Sequence, residues 1–196
     1  MPTEAQIISL HKKYAPSDDV FELVYTHCKI VYEIVKQIVD NRSLEVDEEL
    51  LQASCLLHDI GAYVFIVEYG KTTSRRLYPL HPLIGAQIIR EEGLDSRVAA
   101  AVRTHNQLGL SKQEIEQSID KYILPAIDQL PASVEAELLC YADRFHSKKP
   151  VFNSVASLER YLAKQPIQFQ RFQEYQKRFG VPDVTAFTER YQHSVT

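Results

Sequence analysis

Cysteine is scarce: Cys28, Cys55 and Cys140 form an odd, scattered set with no C-x-x-C pair. That excludes a disulfide framework and a zinc ribbon and fits a reducing, cytoplasmic setting. Long apolar runs are missing as well, since nothing approaches the roughly 18 residues that would suggest a membrane span. The start, Met1-Pro2-Thr3-Glu4-Ala5, is polar and acidic, without the basic segment and apolar core of a secretory signal. Nor is there an excess of positive charge: 22 Lys and Arg stand against 26 Asp and Glu, for a net charge of -4. No global field draws such a chain to nucleic acid, and any basic binding surface has to be local. Internal repeats and low-complexity runs are absent too.

What is present is an ordinary globular composition, 45% hydrophobic and 24% charged over 196 residues. That length suggests one domain and buries a sizeable core without disulfides or a structural metal. A metal here would serve chemistry rather than foldability.

The chain reads as all-α. A short helix covers Glu4 to Tyr14 and stops before Pro16. Ser17 caps a long helix to about Asn41, with Asp18 and Asp19 favourable in its first turn. Its apolar positions Val20, Leu23, Val24, Ile30, Val31, Ile34, Val35 and Ile38 recur with helical period, and His27 falls inside that stripe. Asp47 caps a third helix, Glu48 to His58, with Gly61 near its stop. The segment from Tyr63 to Leu80 carries no clear period: Tyr63 to Val67 fits a continuing helix or a strand, and Gly70 to Arg76 a basic loop. Pro82 suits the first turn of a helix, placing His81 at its N-terminal edge, and Gly93 its end. Ser96 starts the next helix, which ends near His105. Ser111 and Glu114 form a capping box, and Ser133 opens a helix with Asp143 beside its apolar face. Beyond Pro150, Ile167, Phe169, Phe172, Tyr175 and Phe179 make an amphipathic stripe, followed by a last helix from about Asp183 to His193. The expected organisation is an N-terminal helix over 1–16, a motif-bearing domain over 17–150 and a helical extension over 151–196. The aromatic stripe is read as core packing first and as a dimer surface second.

The most informative run is Leu56-Leu57-His58-Asp59-Ile60-Gly61. An Asp ending an apolar stretch needs a compensating charge, and a bound cation is the simplest one. His27, His81, His105 and Asp143 offer matching ligands at or near helix ends, where a bundle builds a metal site from facing elements. Imidazole and carboxylate suit first-row metals such as Zn, Fe, Mn, Co or Ni, and Mg is also compatible. A natural division has His27, His58 and Asp143 on one ion, His81 and His105 on a second, and Asp59 bridging. Taken singly, each residue is better read as structural: a core histidine, a helix-edge residue, or half of an Asp143–Arg144 ion pair. Together, several polar intrusions into apolar faces are hard to explain separately. His11 and His193 are expected at the surface, and His146 in a supporting place behind the ligands at most. The three cysteines are read as small apolar filler beside the site.

The ordered pattern His27, His58-Asp59, Asp143 resembles the HD-domain superfamily of metal-dependent phosphohydrolases. His81 and His105 are similar to the extra ligands of its two-metal variants, the HD-GYP phosphodiesterases and HD-type diadenosine tetraphosphate hydrolases. The runs His81-Pro82-Leu83-Ile84-Gly85-Ala86, Arg103-Thr104-His105-Asn106 and Tyr141-Ala142-Asp143-Arg144-Phe145-His146 resemble poorly characterised bacterial and archaeal HD proteins of this length. The resemblance implies an all-helical HD bundle and hydrolysis of a phosphate ester or anhydride by a metal-bound water, with Asp59 and His58 central. A small phosphorylated metabolite, above all a nucleotide, is the expected substrate. The Gly-Tyr-Pro motif is absent after the dyad, where the chain reads Ile60-Gly61-Ala62-Tyr63, which argues against cyclic dinucleotide cleavage.

Phosphate also calls for cationic side chains. Candidates are Lys71, Arg75 and Arg76 in the loop before His81, and Lys148 with Lys149 after Asp143. The loop trio reads equally well as a phosphate clamp or an exposed basic loop, and Lys148 and Lys149 read first as surface residues. Two other functions use the same ligands: a non-catalytic metal- or nucleotide-binding module, and an HD-type di-iron oxidase.

Overall fold

A computed structural model describes residues 1–68 and 71–196 of the chain. Gly70, placed above in the basic loop, lies outside the described residues. Local signals set most helix starts. Helix α1, Glu4–Tyr14, opens with a capping box between Thr3 and Gln6. In α2, Asp18–Arg42, the Ser17 hydroxyl accepts from the Val20 amide, and Ser43 ends the helix in the left-handed region. Asp47 caps α3, Glu48–Leu57. A 3-10 turn over Ile60–Val64 follows, and then a hairpin of β1, Ile66–Glu68, and β2, Lys71–Thr72. The aperiodic stretch after Tyr63 is therefore neither one helix nor one strand.

Helix α4, His81–Glu91, carries Pro82 in its first turn, and α5, Ser96–Arg103, starts at Ser96 as expected, capped by Asp95. The capping box of Ser111 and Glu114 opens α6, Lys112–Gln117, and Ser133 caps α7, Val134–Asp143. Strands β3, His146–Ser147, and β4, Val151–Phe152, pair antiparallel and lead into α8, Val155–Leu162, and α9, Pro166–Phe179.

The end of the chain departs from the expected final helix. Asp183 to His193 is a 3-10 turn over Val184–Phe187, a single turn α10 over Thr188–Tyr191, and a left-handed Gln192. Gln192 turns the backbone so that β5, Ser194–Val195, runs parallel to β4. The stripe on α9 is also shifted. Ile167 is exposed, and Gln168 is buried, accepting from the Leu108 amide and donating to the Gly109 carbonyl.

Two cores result. One joins Ile30, Ile34 and Ile38 of α2 to Leu138 and Tyr141 of α7 and to Phe152, Phe172 and Phe179 of the C-terminal segment. Each buried phenyl contributes roughly 1.5–3 kcal/mol relative to exposure. The other packs α1 and the first half of α2 against α3, α4 and α5. His11 belongs there and is fully buried, contrary to its expected surface place. Its ring bonds the Tyr63 hydroxyl at 2.8 Å and the Leu56 carbonyl at 2.7 Å, partners too distant in sequence for local patterning to reveal. Burial lowers its pKa to about 4, so it sits in the core as a neutral ring.

Two parts of the backbone approach closely near Asp59. A Cβ placed on Gly61 would lie 2.1 Å from the His81 carbonyl oxygen and 2.4 Å from the Gly85 nitrogen, both backbone atoms. Gly61→Ala must therefore push α4 away from the turn after α3. A loss of about 3 kcal/mol, and a melting temperature lower by roughly 6–12 °C, is expected for a chain of this size. A thermal melt matching wild type would show that the two backbones do not touch.

Candidate metal centre

Six side chains from five helices or their ends meet in one place. His27 projects from the middle of α2. His58 and Asp59 directly follow α3, His81 opens α4, His105 lies two residues beyond α5, and Asp143 ends α7. Helices α3, α5 and α7 thus all terminate at the cluster, presenting the partial negative charge of their last carbonyls. His27, His58, Asp59, His81 and His105 are buried, and Asp143 is partly open to solvent.

The donors form two sets that share Asp59. Around its Oδ2, His27 Nε2 lies at 3.2 Å and His58 Nε2 at 3.3 Å. The same nitrogens are 3.2 Å apart and stand 3.0 and 3.5 Å from Asp143 Oδ1. Around Asp59 Oδ1, His81 Nε2 lies at 3.1 Å and His105 Nε2 at 3.7 Å, with 3.0 Å between the two rings' nitrogens. Donors bound at 2.0–2.1 Å to one tetrahedral ion stand about 3.4 Å apart, so each set fits a single cation.

The outer ring nitrogens fix which atoms are free to ligate. His58, His81 and His105 each donate Nδ1–H to the carbonyl three residues earlier, of Cys55, Tyr78 and Val102, at 2.8, 2.7 and 2.6 Å. In the neutral rings their Nε2 atoms are bare lone pairs facing one another, an arrangement that calls for a positive charge between them, a proton or a metal ion. Against the effect of burial, Cys28 and Asp59 raise the His58 pKa well above its ordinary value. Burial pushes His105 to a pKa of about 4, so at neutral pH the ring is neutral, with its one proton on Nδ1 and a lone pair on Nε2. Neither oxygen of Asp59 accepts a hydrogen bond of ordinary geometry. Burial would raise its pKa, but Lys148 and His58 hold it well below the usual carboxylate range. Asp143 is held low by His27 and His58 against the same effect of burial. Among the described residues, the cluster has the donors to hold a metal ion.

Lys148 is not the surface residue that its type suggested. Its ammonium group meets Asp59 Oδ2 and lies 5.6 Å from the centre of the Tyr78 ring. Tyr78 itself packs on the His81 ring at 4.5 Å. Sequence reasoning missed Tyr78, because it lies in the one stretch without a period. Lys71 pairs instead with Glu68 at 2.8 Å, and Arg75 and Arg76 are exposed. The structure brings none of these three into an ion pair or hydrogen bond with the cluster. Arg144 does not pair with Asp143; its guanidinium lies 6.0 Å from the Tyr161 ring centre. All three cysteines are buried, burial raises the Cys55 thiol to about 12, and only Cys28 shares ligand range with His58 and Asp59.

Behind His27 stands His146, whose own ring contacts His193. His193 is half-buried, not free at the surface as its position near the end suggested. Together with Lys148, Pro150 and Asp19, Glu22 and Thr26 of α2, these histidines line a cavity of about 380 Å³ that opens at His27. No helix among the described residues is long and apolar enough to cross a membrane.

The family model for the HD domain matches residues 24–148. A tRNA (cytidine(56)-2'-O)-methyltransferase of Picrophilus torridus is 26% identical over 161 residues, which are 82% of this chain and 41% of that protein. An uncharacterized protein of Methanocaldococcus jannaschii is 34% identical over 126 residues, 62% of this chain and 65% of that protein. The chain thus spans less than two thirds of either relative's length. Among solved structures, the HD domain of the L. monocytogenes phosphodiesterase PgpH in complex with cyclic-di-AMP shares the fold. The TM-score is 0.55 at 16% identity, covering 98% of this chain and 95% of that one.

Proposed function

Because this chain belongs to the HD-domain family, we propose that it is a metal-dependent phosphohydrolase cleaving a phosphate ester or anhydride of a small metabolite, with a nucleotide as the preferred class. The observation that carries this reading is the pair of donor sets sharing Asp59, with bare imidazole lone pairs converging at 3.2 and 3.0 Å. His27, His58, Asp143 and Asp59 Oδ2 would hold one ion, and His81, His105 and Asp59 Oδ1 a second. When bound, such ions supply a water activated near neutral pH and offset charge on the phosphoryl oxygens.

The chain's own contribution is orientation and charge. Asp59 fixes the spacing of the two donor sets. Lys148, beside it, is placed to donate to a phosphoryl oxygen, and the Tyr78 ring confines its ammonium. The cavity beside His27 has room for the rest of a mononucleotide-sized ligand. That the PgpH structure holds a nucleotide supports the substrate class without fixing the substrate. The full set of six donors favours catalysis over a purely binding role.

The methyltransferase relative fits the same proposal. A His/Asp donor set offers Lewis-acid chemistry rather than methyl transfer, and the match covers 41% of the Picrophilus torridus protein. We take the shared part to be a unit separate from methyl transfer in that longer chain. The division of the present chain at 16 and 150 is part of this proposal; the core shared by α2, α7 and Phe172 supports a docked extension.

The test is metal content per chain. Wild type is expected to bind two ions, and the His81→Ala/His105→Ala double mutant one. An unchanged count in the double mutant would remove the second donor set, and a wild type that binds no ion after reloading would end the hydrolase reading.

A further inference from the structure

The four imidazoles of the cluster are not supported alike. Three of them donate Nδ1–H to a backbone carbonyl three residues earlier, an acceptor that cannot change. His27 lies inside α2, where the carbonyls of the preceding turn serve the helix. Its Nδ1 instead faces His146 Nδ1 at 2.8 Å. His146 in turn places Nε2 2.9 Å from His193 Nδ1. The rings stack in series, with centroids 5.1 Å apart at each step.

The proton positions in this chain of rings follow from one requirement. For His27 Nε2 to present a lone pair to the cluster, its hydrogen must sit on Nδ1. His146 Nδ1 must then accept, so the hydrogen of His146 sits on Nε2. That hydrogen needs an acceptor, which only a bare His193 Nδ1 provides. The tautomer of the residue at the cluster is thus set from position 193, 166 residues away in the sequence.

The fold has the means to hold His193 there. Gln192 takes a left-handed turn just before it, and β5 just after it pairs with β4, the strand next to β3, where His146 lies. Thr196 adds bonds to the Phe152 carbonyl and the Ser157 hydroxyl.

We propose that His193 is a positioning residue for the metal centre, acting through His146 to fix the ring and tautomer of His27, so that the C-terminal strand belongs to the site. This rests on the metal-centre reading of the previous subsection. It differs from the usual support of a metal-bound histidine, a carboxylate or carbonyl, in depending on a third side chain brought by the end of the chain.

The experiment compares His193→Asn, His193→Ala and His193→Lys in the full chain. Metal affinity is measured by competition with a chromogenic chelator, and the Co(II)-loaded protein gives the electronic spectrum of the bound ion. Asn keeps an acceptor oxygen near the place of Nδ1, Ala removes it, and Lys offers only donors. We expect about 10-fold weaker binding of one ion in the Ala and Lys variants, the scale of a lost supporting contact, with an altered Co(II) spectrum and near-wild-type behaviour for Asn. Equal affinity and spectrum in all three would overturn the proposal, as would an Asn variant as weak as Ala, since that points to packing alone. A wild type that binds no Co(II) would instead sink the metal-centre reading, so the two failures are distinguishable. His146→Ala, expected to weaken the same ion by 10-fold to 100-fold, checks the intermediate link.

Discussion

Asp59→Ala is expected to abolish phosphate release while leaving the protein folded. Asp59 is the one side chain whose two oxygens reach both donor sets, at 3.1 to 3.3 Å from His27, His58 and His81. Without it the ions lose their shared ligand, and with it the charge stabilisation they supply. That is worth several kcal/mol, so the rate should fall by at least about 10³-fold. The fold should survive, because the backbone bond from the Ala62 amide to the carbonyl of residue 59 does not need the carboxylate. Lys148, left without its partner, is exposed enough at 21% to turn its ammonium toward water. Circular dichroism beside a phosphate-release assay over a nucleotide panel tests both halves. Turnover within tenfold of wild type would remove Asp59 from the chemistry.

Metal ions in excess should raise the melting temperature by about 8–16 °C. A ligand at a thousand times its Kd adds about 4 kcal/mol to the folded state, and each kcal/mol moves the midpoint by roughly 2–4 °C in a chain of this size. The size of the effect reflects where the donors sit. They come from α2, α3, α4, α5 and α7, so ions at the cluster tie five helices together. A chelator should reverse the shift, and Asp59→Ala should lose most of it. A melt indifferent to Mn, Fe, Co, Ni, Zn and Mg alike would contradict an ion held by this cluster.

The sequence revealed the helices because their signals are periodic or local, and it suggested the cluster through polar residues set into apolar faces and an order that resembles the HD family. Ser17, Asp47, Ser111 and Ser133 act at the helix starts where they were expected, because a cap concerns only the next three residues. His27 could be placed inward because it interrupts an apolar stripe. Where long-range partners decide, the sequence was silent. His11 is buried because Tyr63 and the Leu56 carbonyl wait for it. Lys148 turns inward because Asp59 lies beneath it, and His193 is held by a pairing of two-residue strands too short to leave a pattern. The expected last helix fails at Gln192, whose left-handed backbone no composition rule singles out.

The convergence of three helix ends on two carboxylates has a consequence for the order of events. Asp59 and Asp143, together with the terminal carbonyls of α3, α5 and α7, make the cluster repel an approaching phosphate. Lys148, already engaged by Asp59, and His58, whose pKa is raised beside the carboxylates against the effect of burial, offset part of that field. Cations taken up as proposed would reverse its sign, and the same spot would then attract the anion it had turned away, so ions are expected to enter before phosphate.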